Sequence, residues 1–149
     1  MTTRPSSALR RQVIARADNC CEYCLLPQEL VASTHQVDHV IAEKHGGRTV
    51  LANLVLSCTM CNRRKGSDIS SLDPATGMLV PLFNPRTQRW AEHFRLEGAH
   101  IVGVTAVGRT TVALLQLNAI ERVVERAAFL RTGRYPPDGS TAHHHSSTA

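Results

Sequence analysis

The amino-acid sequence predicts an α+β fold of short strands and helices, and three observations support this class. Apolar residues recur at helical spacing near the N-terminus, between Ser7 and Ala17. The segment from Thr34 to Ile41 is rich in β-branched residues with partial alternation, which is typical of a strand. Two Cys-x2-Cys pairs bracket that segment, and they consist of Cys21 with Cys24 and Cys58 with Cys61.

The predicted N-terminal helix begins at Pro5-Ser6-Ser7, where a serine can cap the first turn, and ends near Asp18-Asn19. Its apolar face consists of Leu9, Val13, Ile14 and Ala17. Its other face carries three arginines, Arg10, Arg11 and Arg16. This basic face is either a phosphate-facing surface or simply a solvated one.

After the first strand, the glycine pair of the loop His45 to Thr49 permits backbone conformations closed to other residues. A second strand is predicted within Leu51 to Leu56, leading into the second cysteine pair. The segment Asn62 to Lys65 then has the character of the first turn of a helix, which stops near Gly66. The predicted core, residues 5–72, is therefore strand, loop, strand and helix behind the N-terminal helix.

A C-terminal extension, residues 73–132, is predicted to pack on or beside this core. It begins with a turn-rich link at 73–77 and continues as a hairpin formed by Trp90 to Leu96 and His100 to Val104. Helices are predicted at Thr110 to Leu117 and Ala119 to Leu130. The second has an apolar set expected to face inward, Ile120, Val123, Val124, Ala127 and Leu130. Residues 133–149 are predicted to be a disordered tail.

The cysteine spacing predicts a structural zinc site. A Cys-x2-Cys turn aims two thiolates at one point, so two such pairs complete a closed tetrahedral site. The alternatives are ordinary buried cysteines or disulfide partners. Cys20 is predicted to be a spare thiol, because only Cys21 gives the two-residue spacer with Cys24. A bound zinc would compensate for the modest core that 149 residues with 4% aromatic content can form.

Composition also indicates the cellular compartment of the protein and the kind of partner that it binds. No apolar run suited to a signal peptide occurs in residues 1–9, and no stretch approaches the roughly 20 apolar residues of a membrane helix. We therefore expect a cytoplasmic protein without a membrane partner, in which thiols bind metal rather than pair. The formal charge of +5 and pI near 9.3 favour a polyanionic partner.

Three side chains suit the hydrolysis of a phosphodiester bond, which needs an activated water, a cation and neutralisation of the leaving oxygen. A neutral His39 can accept a proton near pH 7. Asp38 and Asn62 offer the oxygen ligands that Mg²⁺ prefers. Because neighbouring strand residues point to opposite faces, Asp38 and His39 can serve metal and water separately only where the strand breaks.

The ordered set of motifs in residues 9–68 is distinctive. It comprises Cys21-x2-Cys24, Val37-Asp38-His39-Val40, Gly46-Gly47, Asn53-Leu54 and Cys58-x2-Cys61-Asn62-x2-Lys65-Gly66. This set resembles an HNH nuclease domain of the zinc-bearing type, which implies a ββα-metal fold around one catalytic divalent ion. Residues 82–118 also resemble the tail of small stand-alone bacterial HNH proteins, without a catalytic assignment.

The resemblance implies roles for four residues. His39 matches the general base and Asp38 the metal-ligating acid, while Asn53 matches the asparagine that holds the loop and helps orient the base. Asn62 stands where the motif usually has its last histidine. This is similar to the HNH nuclease of RNA-guided DNA-cutting enzymes, where asparagine also ligates the metal, and it favours Mg²⁺ or Mn²⁺. The alternative for Asn62 is an N-cap of the following helix.

The expected function is a metal-dependent nuclease that acts on DNA. The residues predicted to contact nucleic acid are His45, Arg48, Arg63, Arg64 and Lys65, and Lys65 or Arg63 is also expected to assist catalysis. The rival is a non-catalytic, zinc-stabilised module that binds nucleic acid through its basic helices. The joint presence of Asp38, His39 and Asn62 favours the enzyme. A homodimer could cut both strands, whereas a monomer would nick one.

Overall fold

The computed structural model describes residues 2–138 and confirms the predicted α+β class. Its helices are α1 (Ser7–Arg16), α2 (Thr59–Lys65), α3 (Trp90–His93), α4 (Ala106–Leu114) and α5 (Ile120–Arg131). Its strands are β1 (Gln36–His39), β2 (Leu54–Ser57), β3 (Ser70–Leu72), β4 (Leu79–Pro81), β5 (Phe94–Glu97) and β6 (His100–Gly103). Consecutive strands pair as antiparallel two-stranded sheets, β1 with β2, β3 with β4 and β5 with β6.

Helix α1 packs on the β1–β2 hairpin, as its apolar spacing predicts. The Ser6 hydroxyl caps the helix by accepting a hydrogen bond from the Leu9 amide at 3.2 Å. Val37 pairs with Leu56 across the hairpin, and His39 pairs with Leu54. The buried residues of this small core are Val13, Val37, Leu54 and Leu56. The hairpin that carries Asp38 and His39 is therefore backed by a helix.

Helix α2 begins three residues earlier than predicted. The Cys58 side chain is its N-cap and accepts a hydrogen bond from the Cys61 amide, so the helix starts at Thr59. The helix ends at Lys65, where Gly66 takes a φ of 52°. Asn62 thus lies inside the helix, and the N-cap alternative for it is wrong.

The turn-rich segment 73–77 is the connection of a hairpin rather than a link between two units. Strands β3 and β4 pair on either side of it, with Leu72 opposite Leu79. Asp73 is fully buried and forms an ion pair with Arg109 of α4 at 2.8 Å. The hairpin therefore crosses the predicted boundary between residues 72 and 73.

The extension packs against the four cysteines to form one continuous core. Its buried members include Phe83, Trp90, Phe94, Ile101, Leu115 and Leu117, together with Cys21, Cys24, Cys58 and Cys61. Within the predicted strand from Trp90 to Leu96, the first four residues instead form helix α3, and the Trp90 indole N–H donates to the Tyr23 carbonyl at 2.8 Å. The extension therefore supplies part of the hydrophobic core that surrounds the cysteines.

The predicted inward face of α5 is wrong at Ile120 and Val124, whereas Leu130 packs against the core as predicted. Ile120 and Val124 are 78% and 63% exposed, whereas Arg122 and Arg126 are buried. Arg126 donates to the carbonyls of Ala99 at 2.8 Å and Leu117 at 2.6 Å. The helix turns its arginines inward because carbonyl and sulfur acceptors, which need donors, lie beneath it.

The prediction of disorder from residue 133 is wrong at Tyr135. This side chain is buried, and its hydroxyl donates to the Cys24 carbonyl at 2.6 Å. The remaining part of that prediction, residues 139–149, lies outside the described residues. Between residues 2 and 138, no helix is both long and apolar enough to cross a bilayer.

Candidate functional site

The four predicted zinc ligands converge in the interior. One sulfur from each of Cys21, Cys24, Cys58 and Cys61 lies within 4.8 Å of all the others, and all four residues are buried. The sulfurs of Cys24 and Cys58 are 3.7 Å apart. A tetrahedron with Zn–S bonds of about 2.3 Å has sulfurs about 3.8 Å apart, so the cluster fits a zinc ion. A zinc ion held by four thiolates would have no open position, which is typical of structural sites.

Each cysteine pair is shaped by its own backbone. The Cys24 amide points at the Cys21 sulfur at 3.5 Å, and the Cys61 amide points at the Cys58 sulfur at 3.4 Å. These amide–sulfur contacts help to fix the orientation of the Cys21 and Cys58 side chains. Cys20 stays outside the cluster and donates to the Asp18 carbonyl at 3.2 Å, and burial raises the pKa of its thiol to about 11.

A cation from the extension reaches this cluster, a feature absent from the sequence prediction. The Arg122 guanidinium lies 3.0 Å from the Cys61 sulfur and 3.7 Å from the Cys58 sulfur. It also donates to the Leu115 carbonyl at 2.9 Å. Four thiolates around one Zn²⁺ would carry a net charge of −2, and the buried guanidinium would offset part of it.

Asp38 and His39 lie together at the end of β1, where the strand stops. The His39 side chain is only 3% exposed, while that of Asp38 is 32% exposed. The Nδ1 atom of His39 lies 3.9 Å from Oδ1 of Asp38. The strand therefore ends in a buried imidazole with one nitrogen turned toward an accessible carboxylate.

The other imidazole nitrogen of His39 is occupied. Its Nε2 lies 2.8 Å from the Thr49 hydroxyl and 3.6 Å from Oε1 of Glu43. The Thr49 hydroxyl donates to the same Glu43 oxygen at 3.0 Å. Glu43 follows His39 by four residues and begins a short 3₁₀ turn, Glu43–His45. The sequence contains this spacing, but the motif does not single it out.

Asn53 holds the loop that follows His39. Its amide nitrogen donates to the carbonyls of Ile41 and Arg48, each at 2.9 Å, and its amide oxygen accepts from the Ile41 amide at 3.0 Å. Gly47 lies in the same crowded place, since a Cβ there would be 1.7 Å from the Ile41 carbonyl oxygen. Gly46 takes a φ of 90°, the left-handed conformation that glycine favours.

Lys65 lies elsewhere than predicted. Its side chain is buried, and its ammonium donates to the Val40 carbonyl at 2.8 Å. Burial lowers the pKa of this lysine, partly opposed by the nearby carboxylates of Asp38 and Asp68. In this arrangement Lys65 ties α2 to the end of β1, and its phosphate contact stays a prediction.

Asn62 is half-buried one turn before Lys65 in α2. Residues three apart share a helix face, so Asn62 lies on the side of α2 that Lys65 holds against β1. An accessible carboxylate at Asp38 and an amide oxygen on the facing helix are hard donors of the type that Mg²⁺ and Mn²⁺ bind. The chemistry of these two donors suits a divalent cation.

The remaining predicted contact residues are at the surface. His45, Arg48, Arg63 and Arg64 are all exposed. Arg16 serves a structural purpose instead, because its guanidinium donates to the carbonyls of Leu51 and Leu54. A cleft of about 350 Å³ opens beside His39, and two arginines from the N-terminal region, Arg4 and Arg10, line it.

Comparison with known proteins agrees with this description. Residues 21–68 match the family model described as HNH endonuclease, which confirms the predicted resemblance over that segment and indicates a nuclease class. The protein named Septu protein PtuB of Bacillus thuringiensis is 25% identical over 118 residues, which cover 78% of this chain. The chain spans 43% of the length of that relative. No solved structure matches the chain.

Proposed function

We propose that this protein is a metal-dependent DNA endonuclease that hydrolyses phosphodiester bonds. The observation that carries the proposal is the arrangement at the end of β1. There, the buried His39 has its Nε2 engaged by Thr49 and its Nδ1 turned toward the accessible Asp38. A purely structural histidine has no need of an accessible carboxylate beside its second nitrogen.

In the proposed reaction, His39 accepts a proton from water at Nδ1 as the water oxygen attacks the phosphorus. Asp38 and Asn62 would hold the divalent cation. When bound, that cation supplies the positive charge that polarises the scissile phosphate and neutralises the departing oxygen. Asn53 keeps the loop after His39 in place through its three backbone contacts. Arg63 is the exposed basic group proposed to assist at the phosphate.

DNA is the proposed substrate because basic groups lie beside His39 and on the exposed surface of α2. Arg4 and Arg10 line the cleft beside it, and Arg63 and Arg64 are exposed on α2. Contacts of this type to phosphates add affinity without sequence preference and weaken as salt rises. The formal charge of +5 supports the same partner.

The test is a cleavage assay on supercoiled plasmid, single-stranded DNA and RNA, with Mg²⁺ or Mn²⁺ titrated and EDTA as a stop. We expect cation-dependent DNA cleavage that His39→Ala reduces by roughly 10²–10⁴-fold, the usual contribution of a general base. His100→Ala is the matched control, because His100 is exposed on β6, within the hairpin formed with β5. Zinc content and DNA affinity, measured on the same samples, should not change in either variant.

The rival reading predicts a different pattern. A zinc-stabilised module that only binds nucleic acid would retain affinity and show no cleavage by the wild-type protein under any cation. Cleavage by His39→Ala at the wild-type rate, with contaminating nuclease excluded, would also contradict the proposed base. Preferential cleavage of RNA would keep the nuclease and reject DNA as its substrate.

A further inference from the structure

Thr49 contacts the imidazole of His39 and Glu43 lies beside it, but the proposed reaction gives neither residue a chemical role. We propose that Thr49 and Glu43 are positioning residues that fix the tautomer and the orientation of the His39 imidazole. The Thr49 hydroxyl accepts a hydrogen bond from Nε2–H and donates its own proton to the Glu43 carboxylate. This inference rests on the proposed function, because it assigns the partners that prepare His39 as a base.

The directions of these hydrogen bonds follow from the chemistry of the groups. An ionised carboxylate only accepts, so the single proton of the Thr49 hydroxyl is committed to Glu43 at 3.0 Å. The hydroxyl can then only accept from His39, at 2.8 Å from Nε2. A neutral imidazole carries one proton. With that proton on Nε2, the lone pair lies on Nδ1, the nitrogen near Asp38.

Glu43 is itself held as an ionised acceptor. Its Oε1 accepts from the Thr3 backbone amide at 3.0 Å as well as from Thr49. The hydrogen bonds from Thr3 and, to a smaller extent, Thr49 lower the pKa of this carboxyl. The direct separation between Glu43 and Nε2 is 3.6 Å, too long for a hydrogen bond, so the hydroxyl is the intermediary.

The loop that carries Thr49 is held in place from the other side. The amide of Asn53 binds the carbonyl of Arg48, the residue before Thr49. The same amide binds Ile41, two residues after His39. Asn53 therefore fixes the distance between the segment that follows His39 and the segment that carries Thr49. In this way it can help to orient the His39 imidazole.

A competing assignment for Glu43 is a ligand of the divalent cation. A ligand and a positioning residue differ in what their loss changes. Loss of a ligand raises the cation concentration needed for half-maximal activity, and excess cation recovers the rate. Loss of a positioning residue lowers kcat even at saturating cation and DNA.

The experiment compares Thr49→Val, Thr49→Ser and Glu43→Gln in the full chain, with Thr132→Val as a matched control at the end of α5. Thr49→Val should lower kcat roughly 10- to 100-fold, by analogy with the loss of the outer partner of a metal-ligating histidine, with KM for DNA and the Mg²⁺ requirement unchanged. Thr49→Ser keeps the hydroxyl and should restore most of the rate. Glu43→Gln keeps an acceptor without its charge and should fall between them.

A second readout does not depend on activity. Nitrogen-15 NMR of the imidazole at about pH 8, above the usual histidine pKa of about 6.5, reports which nitrogen carries the proton. We expect the Nε2–H tautomer of His39 in the wild-type protein and a mixture in Thr49→Val. The Nδ1–H tautomer in the wild-type protein would contradict the proposal that Thr49 and Glu43 hold the proton of His39 on Nε2.

The kinetic outcomes separate this inference from the proposed function. A wild-type protein that cleaves DNA, with Thr49→Val equally fast, overturns the positioning role and leaves the nuclease intact. A Glu43→Gln defect that excess Mg²⁺ repairs overturns the role of Glu43 in favour of a ligand. A wild-type protein that cleaves nothing rejects the nuclease itself.

Discussion

Removal of the Arg122 side chain tests whether the extension stabilises the zinc cluster. In Arg122→Met an aliphatic side chain of similar reach replaces a buried guanidinium that is 6% exposed. The change leaves the Cys61 sulfur without its donor at 3.0 Å and the Leu115 carbonyl without its donor at 2.9 Å. We expect a loss of about 3–5 kcal/mol in the free energy of unfolding, the usual result when one partner of a buried charged pair is removed.

The assay is urea unfolding followed by circular dichroism, with zinc release followed in parallel by a colorimetric chelator. Zinc should leave Arg122→Met faster than it leaves the wild-type protein. Without the guanidinium, the buried negative charge of the zinc–thiolate cluster is less stabilised. Arg95→Met is the matched control, since Arg95 pairs with Glu97 at the surface, where both side chains are more than half exposed. That pair should contribute at most about 1 kcal/mol. Equal stability of Arg122→Met and Arg95→Met would refute the reasoning.

Three other perturbations probe separate parts of the molecule. Gly47→Ala should disrupt the loop after His39 and abolish cleavage, because its Cβ would lie 1.7 Å from the Ile41 carbonyl oxygen; thermal melting and plasmid nicking measure this. Cys58→Ser should release zinc and unfold the domain, because metal binding energy is folding energy, and zinc analysis with circular dichroism reports both. Asp73→Asn should reduce stability at neutral pH. Arg109 holds the pKa of the Asp73 carboxyl at about 2, below an unfolded value of about 3.9, so its contribution is present above about pH 4 and is lost as the pH falls toward 2.

Each of the three substitutions can be checked by a control or by a second measurement. Gly46→Ala introduces backbone strain without a clash, so a similar effect of both alanines would contradict the close contact assigned to Gly47. Mild chelation should stop cleavage while the thiolate site keeps its zinc, and joint loss of both would point to a single shared site. For Asp73, unfolding curves of wild type and variant should converge at low pH. A constant difference between pH 6 and pH 2 would contradict the lowered pKa.

Local signals in the sequence were sufficient for the part of the fold that carries the site. The serine cap and the apolar spacing of α1, the alternation around Val37 and the two cysteine spacings each report short-range geometry, which depends little on the rest of the chain. Asp38 and His39 were predictable for the same reason, because they are neighbours in the chain and their proximity needs no distant contact.

The features that escaped prediction depend on distant partners. The apolar pattern of α5 indicated the wrong face because the thiolates and carbonyls beneath it, which attract Arg122 and Arg126, come from other segments. Lys65 looked like a surface cation, but the carbonyl that it binds belongs to Val40. Tyr135 lies in a polar, proline-containing stretch that resembles a tail, although its acceptor at Cys24 is more than a hundred residues away. Tertiary contacts overrode composition in each case.

The three attachments at Tyr23, Cys24 and Cys61 bear on how the chain folds. Trp90 and Arg122 of the extension, and Tyr135 just after it, attach the later part of the chain to the two cysteine turns. We therefore expect that residues 21–68 do not fold on their own, because part of the core around their cysteines comes from later in the chain, namely Phe83, Trp90, Phe94, Ile101, Leu115, Leu117 and Tyr135. A fragment that ends at residue 72 would expose the apolar residues around the cysteines, and it would lack β4, the partner of β3. The chain should unfold in a single cooperative transition, with zinc and the extension lost at the same denaturant concentration.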